Sequence, residues 1–193
     1  MRAKWILSLS FCLAVVACDF FLEIANSKSH IVLAETTPRP GFKLYQQAGL
    51  YSIEYPSGWV VNTSNSGPGG IPYLVIWSRK PPSRGGGVFP AGFVKTDIFV
   101  EPISFERSRQ QLLQPQRRGA EPGRLVKRKK LVINGQEAFT TWWAGGEDTA
   151  GYIVTLVRHR NGGTVKILSF HGEINSAMSK TIEDLHNSLK VLD

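Results

Sequence analysis

Cysteine is almost absent from this 193-residue chain: Cys12 and Cys18 are the only two. The region after Cys18 can therefore form no internal disulfide, and it offers no thiol for nucleophilic catalysis. A domain of roughly 150 residues buries enough surface to fold without such bonds. We therefore expect the stability of this chain to come from its hydrophobic core.

Patterns that carry catalysis or metal binding are also missing. No G-x-S-x-G segment is present, and no Lys-Ser/Thr follows the glycines at 85–87 as a phosphate-binding loop requires. The histidines show no H-E-x-x-H spacing, although His159 and His171 flank one predicted hairpin. We interpret all four, His30, His159, His171 and His186, as ordinary surface residues. The sequence predicts a protein that is not an enzyme, with no catalytic residue, metal or cofactor.

Only one long apolar run is present, and it lies near the N-terminus. Trp5 to Ala17 is mostly apolar, follows a short cationic segment, and is shorter than the roughly 20 residues that span a bilayer. Its length is typical of a secretory signal. The following Val15-Val16-Ala17-Cys18 resembles the lipobox of bacterial lipoproteins, in which the cysteine sulfur carries the lipid. We expect a signal peptide at 1–17, lipidation of Cys18, and a membrane-anchored location outside the cytoplasm, in the periplasm or the thylakoid lumen.

Two alternatives to lipidation remain open. Val32 and Ala34 have the small side chains of an ordinary signal-peptidase site, which would release a soluble exported protein. That site lies unusually far beyond the apolar run. The other alternative is that the apolar run is retained as a membrane anchor.

The composition along the chain predicts a tether at 18–48 and one folded domain at 49–193. Phe42 to Gln47 is interpreted as a short turn that leads into the fold. Tyr51, Ile53 and Tyr55 alternate with polar residues, which indicates a half-buried strand ending at Pro56. The apolar run Ile71 to Trp77 predicts a central strand, and Thr96 to Val100 predicts another.

Two hairpins and two helices complete the predicted fold. Asn134-Gly135 lies between the apolar segments Arg124 to Ile133 and Gln136 to Trp143, which is a strong hairpin signal. The second hairpin joins Gly151 to His159 with Thr164 to Phe170. The helices are a short one over Ser104 to Gln114, which Ser104 caps, and an amphipathic one from Ile174 to Leu189. The pattern predicts an α+β fold with an antiparallel sheet covered by helices.

The segment GLYSIEYPSGW, Gly49 to Trp59, resembles the opening of PsbP-like domains. Those domains begin with an aromatic-rich strand, a Tyr-Pro pair and a nearby tryptophan, here Tyr55, Pro56 and Trp59. The resemblance implies a Mog1/PsbP-like α/β/α sandwich and a non-catalytic accessory or assembly role, in cyanobacteria and plants at photosystem II. The long loop at 80–92 and the basic run at 127–130 depart from the family pattern, and no metal-binding residue is carried over.

The net charge of +8 is concentrated in one region. Arg79 to Lys130 holds thirteen Lys and Arg against four Asp and Glu. Consecutive cations on a strand point alternately to its two faces, so they cannot all be buried. One interpretation is a solvated edge that discourages aggregation, and the other is docking to lipid headgroups or an acidic protein. The predicted partner-binding patch comprises Lys127, Arg128, Lys129, Lys130, Arg117 and Arg118.

Trp142 and Trp143 are adjacent on a predicted strand and must point to opposite faces. Each is therefore either a core residue or a candidate aromatic contact for a partner. The sequence predicts an exported, lipid-anchored accessory protein that binds a membrane protein complex, and no nucleic acid. The alternative is a cell-envelope domain that binds a small ligand in an apolar pocket near these tryptophans.

Overall fold

A computed structural model describes residues 37–64, 73–81, 88–114, 123–146 and 148–192. These residues form two helices and two sheets in which every strand pairing is antiparallel. The helices are α1 (Phe105–Leu113) and α2 (Ser176–Asn187). The strands are β1 (Phe42–Gln47), β2 (Tyr51–Pro56), β3 (Val60–Ser64), β4 (Tyr73–Trp77), β5 (Val94–Glu101), β6 (Arg124–Ile133), β7 (Gln136–Ala144), β8 (Gly151–Arg158), β9 (Thr164–His171) and β10 (Lys190–Val191).

The larger sheet has seven strands in the order β3-β4-β5-β9-β8-β7-β6. Both predicted hairpins are confirmed as β6–β7 and β8–β9. In the first, Asn134 and Gly135 both have positive φ, at 46° and 82°, as a type I′ turn requires. The turn therefore sets the register of β6 against β7.

One face of the large sheet is covered by α1. The Ser104 hydroxyl caps this helix by accepting a hydrogen bond from the Arg107 backbone N–H at 3.4 Å. Phe105 is buried and packs with residues of β7 and β8, among them Phe139 and Leu156. This confirms the predicted short helix and its cap.

The opposite face of the large sheet packs against α2 and the small sheet β1-β2-β10. From α2, Ile182 and Leu185 are fully buried, and Tyr51 and Ile53 of β2 join the same core. The predicted α+β class and the helix-covered antiparallel sheet are confirmed.

The small sheet was not predicted. Phe42–Gln47 is a strand paired with β2, not a turn, so the folded unit extends further toward the N-terminus than residue 49. β10 has two residues and exists because it pairs with Tyr51 and Ser52, far away in sequence. The observed architecture thus has a second sheet beside α2 where the sequence indicated one sheet.

Arg39, just ahead of β1, contacts three elements of the fold. Its guanidinium forms an ion pair with Glu54 of β2 and donates a hydrogen bond to the Asp184 carbonyl of α2 at 3.2 Å. It also lies over the Phe42 ring, 4.4 Å from the ring centroid. Three elements are therefore joined by one side chain just ahead of β1.

Candidate functional site

The outermost strand of the large sheet, β6, carries the predicted basic run. Lys127, Arg128, Lys129 and Lys130, named here the basic edge, are all exposed. Lys127 lies opposite Trp142 in the ladder, whereas Arg128 lies opposite Thr141. Because side chains alternate along a strand, Lys127 and Lys129 face the α2 side of the sheet and the other two cations face the α1 side.

The two tryptophans of β7 point to opposite faces, as predicted. Trp142 is partly exposed on the α2 side, and the Lys127 ammonium lies 4.6 Å from its ring centroid. Such a contact attracts the cation to the face of the indole. Trp143 stacks on Tyr152 on the α1 side at 5.6 Å, and its Nε1–H donates to the Thr141 hydroxyl at 2.9 Å. Only Trp142 therefore belongs with the basic edge.

A small crevice opens between the basic edge and α2. Its volume is about 80 Å³, and Lys127, Lys129, Trp142, Glu183 and Asn187 are among the residues that line it. A water molecule occupies roughly 30 Å³ of liquid, and drug-sized ligands need cavities of roughly 300 Å³ or more. The crevice therefore has room for water-sized groups or one carboxylate, and not for an organic ligand.

A chain of hydroxyl groups and one imidazole runs behind the crevice. His186 of α2 bonds to the Thr155 hydroxyl through Nδ1 and to the Ser169 hydroxyl through Nε2, each at 2.8 Å. Thr140 extends the chain from Thr155 at 2.8 Å, and Thr96 extends it from Ser169 at 2.7 Å. The chain thereby ties α2 to β5, β7, β8 and β9.

Burial determines the chemistry of His186. The residue is 2% exposed, and desolvation lowers the pKa of its imidazole to about 3, so it is neutral at physiological pH. Its partner Ser169 has no exposed surface, which leaves a substrate no route to the hydroxyl. The Ser–His contact is therefore a structural link in the core and does not form a nucleophilic pair.

The prediction of ordinary surface histidines was wrong for His159 and His186, which are 3% and 2% exposed. The sequence held a signal for the second of these. His186 follows Ile182 by four residues and precedes Leu189 by three, so it shares the apolar stripe of α2.

His159 and His171 do not approach each other. His171 pairs with Gly151 at one end of the β8–β9 ladder, and His159 follows Arg158 at the other end. Eight steps along a strand separate them by roughly 25 Å. Within the residues that the structure describes, no group of three or more His, Cys, Asp or Glu is placed to hold a metal ion.

A larger cavity of about 510 Å³ lies away from both tryptophans, where the β8–β9 turn meets the start of β2 and the end of β5. Leu50, Val100 and Pro102 give it an apolar wall, and Glu101 and His159 also line it. The Glu101 carboxylate accepts hydrogen bonds from Lys166 and Ser108 at 3.1 and 3.0 Å. The cavity is therefore mainly apolar, with its carboxylate already partnered.

Structural comparison finds similar chains. The solution structure of cyanobacterial PsbP (CyanoP) from Synechocystis sp. PCC 6803 matches with a TM-score of 0.49 and 13% identity, over 78% of this chain and 92% of that chain. A Pseudomonas aeruginosa protein of unknown function, PA94, matches with a TM-score of 0.39 and 17% identity, over 74% and 88% respectively. No family model and no curated protein matches the sequence. The first of these is a PsbP protein, the kind of domain that the segment Gly49 to Trp59 resembles.

Some predicted site residues lie outside the described part of the chain. These are the lipidation candidate Cys18 and the two loop cations Arg117 and Arg118. Neither helix within the described ranges has the length and apolar character needed to cross a membrane. The site as described therefore consists of the basic edge, Trp142 and the crevice beside α2.

Proposed function

We propose that this chain is an exported, lipid-anchored accessory protein that binds a membrane protein complex through its basic edge. The observation that carries the proposal is the placement of four consecutive cations on the exposed outer strand of the sheet. A surface of this charge attracts acidic partners and accelerates encounter with them. The lipobox-like Val15–Cys18 supports anchoring at a membrane, where such a complex resides.

The PsbP-like opening motif narrows the proposal further. In a photosynthetic source, we propose photosystem II or its assembly intermediates as the complex. The proposed role is non-catalytic, as the resemblance to PsbP-like domains implies, and the described Ser169–His186 contact supports it because both residues are buried in the core. A lipid on Cys18 together with the basic edge would supply two attachment signals at an anionic membrane surface.

Co-purification from solubilised membranes tests this function. The variant Arg128→Glu/Lys130→Glu reverses two exposed cations of the basic edge, and Lys43→Glu/Arg107→Glu makes the same charge change at exposed residues elsewhere. We expect the first variant to lose its partner at low salt and the control to retain it. High salt should weaken the complex of the unchanged protein, because exposed charge pairs are screened. Equal retention by both variants would contradict the proposed role of the basic edge.

Lipid attachment needs its own measurement. The intact mass of the membrane-extracted protein should correspond to a chain that starts at Cys18 and carries a diacyl or triacyl modification. A mass that starts after Ala34 would indicate soluble export, and an unprocessed chain would indicate a retained anchor.

The second candidate function is small-ligand binding in the cell envelope. The cavity of about 510 Å³ favours it, because this volume lies within the range of ligand pockets. Native mass spectrometry of the purified protein should then show an added ligand mass. The substitution Val100→Trp, which fills the cavity, should remove that mass, whereas the basic-edge variant should leave it unchanged.

A further inference from the structure

The basic edge also has a backbone that is open to a partner. β6 is the last strand of its sheet and pairs only with β7 among the described strands. In such a strand, alternate N–H and C=O groups point away from the sheet. The side chains from Val126 to Lys130 are all exposed, and no described strand pairs with the outer side of this segment.

A second copy of this chain does not suit the edge. Pairing one β6 with another β6 would bring the cations of one copy against those of the other, and like charges directly opposite are destabilising. Five of the ten β6 residues are Lys or Arg, and none is acidic. The occupant must therefore carry the opposite charge.

The spacing of the cations specifies the charge pattern of the occupant. Because Lys127 and Lys129 face one side of the sheet and Arg128 and Lys130 face the other, an added strand meets cations on both of its faces. Acidic residues at every second position would meet only half of them. Four consecutive acidic residues would meet all four.

Exposed valines lie near both ends of the basic edge. Val126 and Val132 are 57% and 71% exposed and could contact apolar side chains of an added strand. The pairing of β6 with β7 is irregular between Leu125 and Lys127 and regular from Lys127 to Ile133. The regular part of β6 is therefore long enough to pair with one short strand. An acidic run flanked by apolar or β-branched residues would match both the charges and these ends.

We propose that β6 binds an extended acidic segment of the partner protein as an added strand, with four consecutive acidic residues opposite Lys127–Lys130. The inference rests on the proposed function and states how its partner is held. Backbone hydrogen bonds supply the strand pairing, and the alternating cations select the sequence, as in other cases of strand addition.

The test uses four peptides and the full-length chain. The first peptide is Thr-Val-Glu-Glu-Glu-Glu-Val-Thr, and the second has the same composition with Glu at every second position. The other two are versions of the first peptide that are N-methylated at alternate backbone nitrogens. One carries the methyl groups at odd positions and the other at even positions, and these are called the two phases. Fluorescence anisotropy at low salt measures the dissociation constant of each labelled peptide.

We expect the contiguous peptide to bind several-fold more tightly than its alternating isomer. One phase of N-methylation should weaken binding by at least about tenfold, since it removes the backbone hydrogen bonds to the open edge of β6, and the other phase should have little effect. Arg128→Glu/Lys130→Glu should abolish binding, and Lys43→Glu/Arg107→Glu should not. The phase dependence distinguishes strand addition from attraction between charges.

Each contrary result has a defined meaning. Equal binding of all peptides would overturn strand addition, while salt-sensitive co-purification would leave the proposed function standing. No binding of the contiguous peptide would also overturn the inference. Charge-dependent binding to phosphatidylglycerol vesicles without peptide binding would assign the basic edge to lipid headgroups instead.

Discussion

The two edges of the seven-stranded sheet differ in length and charge. β6 has ten residues, of which five are cations, whereas β3 has five residues, VVNTS, and no charge. Exposed edges invite pairing with other chains, and proteins limit this by shortening the edge or by charging it. In this molecule β3 is short and β6 is charged. In the proposed strand addition β6 has to keep its length, and charge protects an edge without shortening it.

The largest expected effect concerns the middle of the sheet, which lies between the two edges. The hydroxyl–imidazole chain joins β5, β7, β8 and β9 to α2 and includes no residue of β3 or β6. His186 stays neutral in the folded protein down to about pH 3, whereas an unfolded histidine takes up a proton near pH 6.5. The contribution of His186 to the free energy of unfolding is therefore fully present above about pH 6.5. It falls by about 1.4 kcal/mol per pH unit as the pH decreases toward 3.

Urea unfolding at pH 7.5 and pH 5 measures this effect. His186→Gln keeps groups that can hydrogen-bond to Thr155 and Ser169 but cannot take up the proton. We expect the variant to lose less stability between the two pH values than the unchanged protein. All other titratable groups of the chain are present in both proteins, so the difference between the two pH slopes reports His186. Identical pH slopes would show that His186 is not the group responsible.

The second prediction compares how each edge is attached to the core. Ile133 is the one described β6 residue that is buried in the core, at 3% exposure, whereas Val61 of β3 is only partly buried. Ile133→Ala should lower the free energy of unfolding by about 2–4 kcal/mol, and Val61→Ala by about 1 kcal/mol. Urea denaturation of both variants checks the ratio. A smaller loss for Ile133→Ala would mean that the long edge is not anchored at its turn.

The third prediction concerns the turn that fixes β6. Asn134 has a φ of 46°, and its side-chain amide donates to the Leu189 carbonyl at 2.6 Å. Asn134→Ala adds backbone strain and removes this bond, so it should cost about 2 kcal/mol. Asn134→Gly removes the bond without the strain and should cost less. If the two variants were equally stable, strain at this position would be negligible.

The smallest effect on stability is expected from the charges themselves. Replacing Lys127, Arg128, Lys129 and Lys130 by threonine should change the free energy of unfolding by only a few tenths of a kcal/mol per residue, because exposed charges contribute little. Sedimentation velocity should nevertheless show concentration-dependent self-association, because the long edge loses its protection. If the variant stayed monomeric at high protein concentration, charge would not be what protects β6 from pairing with other copies.

Turn and capping residues predicted the elements whose position depends on neighbours in the sequence. Asn134-Gly135 located the β6–β7 hairpin, and Ser104 located the start of α1. β10 was missed because its two residues carry no local signal and form a strand only against β2, far away in sequence. β1 and β3 were missed because their short segments lack a clear alternation of apolar and polar residues. The exposure of the basic edge could be predicted, because four consecutive cations on a strand cannot all be buried. The crevice was not, since Glu183 and Asn187 come from α2 and meet β6 only in the folded chain.

The position of Arg39 has a mechanical consequence. A pull on the chain ahead of this residue would peel β1 from β2 one pair at a time, beginning at Phe42 and Pro56. Arg39 precedes that first pair and is held by Glu54 and by the Asp184 carbonyl. A force applied ahead of Arg39 would therefore have to break the ion pair with Glu54 and the bond to the Asp184 carbonyl before it separated β1 from β2, so the strand hairpin would open at a higher force than its own ladder sets.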